Sequence, residues 1–136
     1  MQKYQLLSHV ADVRLLVCGD TLEELFSSAL EGMGELLKPG ICVEEGVLKE
    51  KLELSSLDST SLLIDFLSEV LALSHINRAV YCKIKFIELA PTSLKATIFG
   101  KPTEEFSEDI KAVTFHEAEI KKSEAGHLET IIIFDI

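Results

Sequence analysis

Apolar residues follow a helical period in two stretches of this chain and alternate with polar ones through most of the rest. Leu22, Leu25, Phe26, Ala29, Leu30, Met33, Leu36 and Leu37 recur at steps of three, four and one, which gathers them on one stripe of a helix. That helix opens at Asp20 or Thr21, where Thr21 and Glu24 have the spacing of a capping box, and Lys38-Pro39-Gly40 stops it. A second helix begins after Asp58, turns Leu62, Leu63, Phe66, Leu67, Val70 and Leu71 inward, and ends between Leu73 and Ile76.

Strands account for the remainder. Tyr4–Leu7 and Val13–Cys18 flank a short corner, Ser8-His9-Val10-Ala11-Asp12, and Leu48–Leu54 lies alone between the helices. Val80, Cys82, Ile84 and Phe86 alternate with Tyr81, Lys83 and Lys85, predicting a half-buried strand whose second face is wetter. Ala90-Pro91-Thr92-Ser93 turns it back into Leu94–Phe99 as a hairpin. After an acidic loop from Thr103 to Asp109, the segments Ala112–Lys122 and Leu128–Asp135 form another pair joined through Ser123-Glu124-Ala125-Gly126. The order is β-β-α-β-α-β-β-β-β. Strand runs with short turns and only two helices predict an α+β domain, with mixed or antiparallel sheets and two amphipathic helices packed on a face.

Composition narrows the class. The 136 residues, 47% of them hydrophobic, suit one domain spanning 1–136 that buries a core without staples. A net charge of −10 repels a phosphate backbone, so unaided binding of RNA or DNA is not expected. Cys18, Cys42 and Cys82 have no metal-ligand spacing and are expected to be reduced, mostly buried thiols of a cytoplasmic protein. Met1-Gln2-Lys3-Tyr4 lacks the basic-then-apolar pattern of a signal peptide, and no apolar run is expected to approach the roughly 18 residues of a membrane span. Phosphate-binding glycine loops, the nucleophile elbow and the HExxH zinc helix are all absent from the sequence.

Candidate chemistry gathers at the end of the chain. Ile131-Ile132-Ile133-Phe134 is a continuous apolar run of the kind that forms a buried central strand, and it delivers Asp135 and the α-carboxylate of Ile136 side by side. Adjacent carboxylates on a rigid strand suit a hard, oxygen-seeking cation, and a further carboxylate would extend the cage. Asp12, in the corner between the first two strands, is the candidate for it, with a solvated or turn-capping role as the plainer reading. In Lys111-Ala112-Val113-Thr114-Phe115-His116-Glu117, strand period puts Thr114 and His116 on one face and Val113 and Phe115 on the other; His116 is a site candidate or a hydrogen-bonded structural group. Asp65 and Glu69 read as the wet side of the second helix, and Glu104-Glu105 and Glu108-Asp109 as a solvated loop.

Three segments together resemble the archease family along essentially the whole chain. They are Ser8-His9-Val10-Ala11-Asp12-Val13 with Gly19-Asp20-Thr21-Leu22-Glu23-Glu24; Leu63-Ile64-Asp65-Phe66-Leu67-Ser68-Glu69-Val70-Leu71; and Lys111-Ala112-Val113-Thr114-Phe115-His116 with the terminal Ile133-Phe134-Asp135-Ile136. The resemblance implies an accessory protein, not an enzyme, that activates the GTP-dependent tRNA-splicing ligase by promoting ligase guanylation and multiple turnover, with RNA met only through the ligase. It implies a bound divalent metal, Ca²⁺ in the family, with ligands carried over to Asp12, Asp135 and Ile136. It also makes His9, Lys111, Thr114 and His116 candidate partner contacts. The sequence departs from the family pattern at Val10, where a Thr is usual, and at Arg14, where Gly is usual. Arg14 adds a positive charge within two residues of Asp12, able to pair with it and weaken cation binding. From other classes, a metal-dependent phosphoester hydrolase using His116 as general base, or a protein-folding modulator, would account for the same residues less completely.

Overall fold

The computed structural model describes residues 2–7, 12–43 and 45–136, and its strands divide between two sheets in which every pairing is antiparallel. In chain order the elements are β1 (Gln2–Leu7), β2 (Asp12–Gly19), α1 (Leu22–Leu37), a short 3-10 turn (Ile41–Val43), β3 (Leu48–Ser55), α2 (Ser59–Asn77), β4 (Ala79–Ala90), β5 (Ser93–Pro102), β6 (Ala112–Thr114), β7 (Lys121–Lys122) and β8 (Leu128–Asp135). One sheet runs β1-β2-β8-β6, with β7 also paired to β8; the other runs β3-β5-β4. This is the α+β domain expected. Its central strand is β8, the apolar run of the C-terminal segment.

Local chemistry explains the two helices. Thr21 caps α1 by accepting the Glu24 N–H at 3.1 Å, while the Glu24 carboxylate accepts the N–H of Asp20, one residue before the cap, at 2.8 Å, a reciprocal pair shifted by one residue from the standard capping box. The Asp58 carboxylate accepts the Ser61 N–H at 2.7 Å at the start of α2, and that bond holds its pKa below the ordinary carboxylate range. The cap is therefore at full strength above that range and weakens only as pH falls through the lowered value. At its far end α2 runs to Asn77, beyond the predicted stop, because Arg78 takes a left-handed backbone (φ 49°) and its N–H closes on the Ser74 carbonyl. At 19 residues and with few charges, α2 is long and apolar enough by length and composition to cross a membrane, contrary to the expectation that no run would be. It instead buries Leu62, Leu63, Ile64, Phe66, Leu67, Val70 and Leu71 in the common core.

The helix α1 packs against both sheets, which its glycines allow. A Cβ on Gly32 would come 2.7 Å from a Leu15 methyl of β2, and one on Gly34 would come 2.7 Å from the Cys82 sulfur and 2.9 Å from the Cys42 sulfur. Two residues that weaken an isolated helix thus let it pass close to β2 on one side and β4 on the other.

Three expectations need correction. Cys42 and Cys82 are joined in a disulfide across a sequence separation of 40, leaving Cys18 as the free thiol; two cysteines far apart in sequence meet because α1 brings the 3-10 turn back over β4. In β4, residues Ala79 to Cys82 are all buried: a register shift between Tyr81 and Lys83 breaks the alternation, and Asn77 satisfies the buried Tyr81 hydroxyl at 2.8 Å. The strand predicted over Ala112–Lys122 is two short strands. Between them the chain leaves the ladder, and the N–H groups of Glu119 and Ile120 bond to the hydroxyls of Thr130 and Thr60.

Thiol titration of the denatured, unreduced protein is expected to find one reactive thiol per chain, and three would overturn the pairing. Reduction is expected to lower the unfolding free energy by about 2–4 kcal/mol in urea melts.

Candidate functional site

The site is set by strand register. β2 and β8 pair with Asp12 opposite Asp135, Val13 opposite Phe134 and Arg14 opposite Ile133. Val13, Leu15, Ile132 and Phe134 face the core, so the alternation turns Asp12, Arg14, Ile133 and Asp135 to the other face of the sheet. On the far side of β8, Ala112 of β6 lies opposite Asp135 and Thr114 opposite Ile133. Two rows result, one carrying Asp12, Asp135 and Ala112, the next Arg14, Ile133 and Thr114. Asp135 is thereby held between two neighbouring strands, and its carbonyl accepts the Lys111 N–H at 2.7 Å. Ile136 follows at once and packs its side chain against the core.

An open cavity of about 340 Å³ sits over these rows, lined by Asp12, Thr114, His116, Glu117, Ile133 and Asp135. The turn after β6 completes it. His116 is exposed and its N–H donates to the Thr114 hydroxyl at 3.3 Å, so the two residues meet through a local turn and not through continued strand alternation. Phe115 is 56% exposed, whereas Val113 is buried, and they do not share a face environment as the period predicts. Glu117 adopts a left-handed backbone (φ 59°), and its carboxylate accepts from the Arg14 guanidinium at 2.8 Å. The sequence placed Arg14 within reach of Asp12; folding gives it this bond to a carboxylate 103 residues further along.

Lys111 is not gathered here. It borders a neighbouring groove of about 280 Å³ with Ser68, Leu71, Ala72 and His75 of α2. His9 and Val10 lie outside the described residues. Asp65, read as part of a wet helix side, bonds the Ser56 hydroxyl and ties α2 to the end of β3. Of the acidic loop, Glu104, Glu105 and Asp109 are exposed as expected, but the Ser107 N–H is fixed to the Leu37 carbonyl at 2.7 Å and Ile110 is buried. Glu117 is the site residue that sequence reasoning missed: it belongs to the same segment as His116, but its approach depends on a turn that strand periodicity does not foresee.

Chemically, the donors over these rows are hard oxygens, suited to a cation such as Ca²⁺ or Mg²⁺ and unsuited to a soft metal. Among the described residues, no three Asp, Glu, His or Cys side chains converge closely enough to hold an ion by themselves. A cation over Asp12 and Asp135 therefore needs the α-carboxylate or water to complete its shell.

Comparison with known proteins agrees with this arrangement of the chain. A family model described as the archease protein family matches residues 4–136. The protein archease of Methanosarcina mazei is 31% identical over 140 residues, covering 97% of this chain and 95% of its own. That of Pyrococcus abyssi is 28% identical over 144 residues and covers both chains fully. Among solved structures, the solution structure of protein 1598 of Methanobacterium thermoautotrophicum superposes with a TM-score of 0.79 at 28% identity over the full length of both chains. The crystal structure of an archease and possible chaperone from Thermotoga maritima gives 0.69 at 22% identity, covering 96% of this chain and 94% of that one, and shares the fold.

The turn that carries His116 and Glu117 depends on two threonine hydroxyls from other elements. Thr130→Val is expected to speed amide exchange at Glu119, with a loss of roughly 0.5–1.5 kcal/mol in stability. Unchanged exchange there would show that the Thr130 hydroxyl does not hold the turn.

Proposed function

The chain belongs to the archease family, and from that premise we propose that it is a metal-binding accessory protein that activates a GTP-dependent tRNA-splicing ligase in the cytoplasm, with no catalysis of its own. The observation that carries this reading is the placement of Asp12 directly opposite Asp135 at one end of the central strand, beside Ile136. Asp12, Asp135 and the α-carboxylate of Ile136 would hold the ion; oxygen donors suit a hard cation, and the family resemblance makes Ca²⁺ the one proposed. When bound, such an ion supplies positive charge that can neutralise phosphate oxygens, which a chain of net charge −10 otherwise repels. On this reading Thr114 and His116, which line the same cavity, and Lys111, which lines the adjoining groove, would be the contacts to the ligase. Glu117 lines the cavity with its charge offset by the Arg14 guanidinium at 2.8 Å, so the pair withholds a carboxylate that would otherwise favour a cation.

Two measurements test this. In calorimetric titration with Ca²⁺, Asp135→Asn and a short extension beyond Ile136 are each expected to abolish or strongly weaken binding. Arg14→Gln, which removes a positive charge beside the carboxylates, is expected to tighten it on the order of fivefold. Binding unaffected by the extension would remove Ile136 from the ligand set. In multiple-turnover ligation with a cognate ligase, the wild-type protein is expected to accelerate joining and guanylation; equal acceleration by Asp135→Ala would sink the metal role. Turnover of a phosphoester by the purified protein alone would make it an enzyme instead.

A further inference from the structure

The three-stranded sheet turns Leu94, Ala96 and Ile98 of β5 toward the core, and the opposite face of that sheet carries charge of the sign the chain as a whole lacks. Register aligns Lys49 of β3, Phe99 of β5 and Lys83 of β4 in one row, and Lys51, Thr97 and Lys85 in the next. The four lysines are exposed. In a protein with 13 basic residues against 23 acidic ones, four of the 13 stand on two adjacent rows around one aromatic ring. The Lys49 ammonium lies 5.8 Å from the centre of the Phe99 ring. Phe99, Lys49 and Lys83 line, together with Cys42, Val43 and Gly46, a cavity of about 840 Å³.

We infer that this face binds a short stretch of single-stranded nucleic acid, with a base stacked on Phe99 and the backbone running along the lysine rows. Alternate residues of a strand are about 6.7 Å apart and neighbouring strands about 4.8 Å, so the lysines form a grid that follows an extended phosphate chain on either side of the ring. A flat sheet with an accessible aromatic suits unstacked bases and does not suit a duplex, whose bases cannot reach it. The acidic groups set its extent. Glu31 lies 3.9 Å from Lys83, Glu45 lines the cavity, and in the third row Glu53 and Glu88 flank Lys95, so the basic field covers two rows and reaches only a few nucleotides. The overall charge of −10 excludes tight, long-range attraction but does not reverse the sign of this local surface. Lysines on outer strands also discourage edge-to-edge pairing of sheets, a role in which Phe99 would have no part.

This inference stands apart from the ligase reading, and its test uses the protein alone. Fluorescence anisotropy with a labelled oligouridylate of about twelve nucleotides, and with its deoxy counterpart, reads binding directly at low salt. Wild type is expected to bind at about 50 mM salt and to lose most of its affinity by about 200 mM, with a logarithmic salt slope approaching −2 to −3. Lys51→Gln with Lys85→Gln is expected to weaken binding at least about tenfold, and Phe99→Leu, which keeps an apolar side chain but removes the stacking ring, at least about fivefold. Thermal melts equal to wild type establish that the variants fold. A difference between the two oligonucleotides identifies the sugar preferred; both outcomes support the site. Absence of binding by wild type at low salt, or affinity unchanged in the variants, overturns it. So does polyglutamate binding as tightly as the oligonucleotide with no effect of Phe99→Leu, which would make the face a dock for an acidic protein.

Discussion

The register between β2 and β8 is the constraint on which the site depends. Eight residue pairs fix it, and core packing enforces it, because Val13, Leu15 and Val17 must face inward with Phe134, Ile132 and Thr130. Side chains along a strand alternate with a period of two, so a slip of one residue would send Asp135 toward the core and a core residue toward solvent. Burying an unpaired carboxylate costs several kcal/mol, and so does exposing Phe134. The apolar pattern therefore specifies, as a by-product, that Asp12 and Asp135 stand opposite each other on the outer face. β6 closes the far side of β8, so Asp135 is bordered by a paired strand on both sides.

The second organising element is α1, which lies close to both sheets. Its stripe of large apolar residues is conventional for a packed helix, but Gly32 and Gly34 decide how near the neighbours come. Through Gly34 it rests on the Cys42–Cys82 disulfide, which ties the turn after the helix to β4. Cys42 also lines the cavity beside Phe99. The disulfide and the cavity on the lysine-bearing face are thus parts of one local structure, separate from the carboxylate end of the five-stranded sheet.

The two surfaces differ in chemistry in a way that net charge conceals. One end of the larger sheet gathers carboxylates with a threonine and a histidine at its rim; one face of the smaller sheet gathers lysines around an aromatic ring. In each case cross-strand pairing collects groups that are widely spaced in the chain. The Arg14–Glu117 pair, with partners 103 residues apart, is a further product of that pairing and of the left-handed turn at Glu117.

Periodicity in the sequence determined both helices, the order of the elements, the α+β class and the central place of the last strand, because burial of apolar side chains acts residue by residue and leaves its period in the chain. It also marked Asp12, Asp135, Thr114 and His116, since each lies in or beside a strand whose direction could be read. Only the tertiary structure decided the partners: that Asp12 faces Asp135, that Arg14 meets Glu117, that Lys111 borders a separate groove, and that Cys42 reaches Cys82. The interruption between β6 and β7 and the register shift in β4 were equally out of reach, since the first rests on hydroxyls from Thr60 and Thr130 and the second is a slip between paired strands. A chain's pattern records which side of each element is dry; which elements then meet, and in what register, is set by packing among segments far apart in sequence.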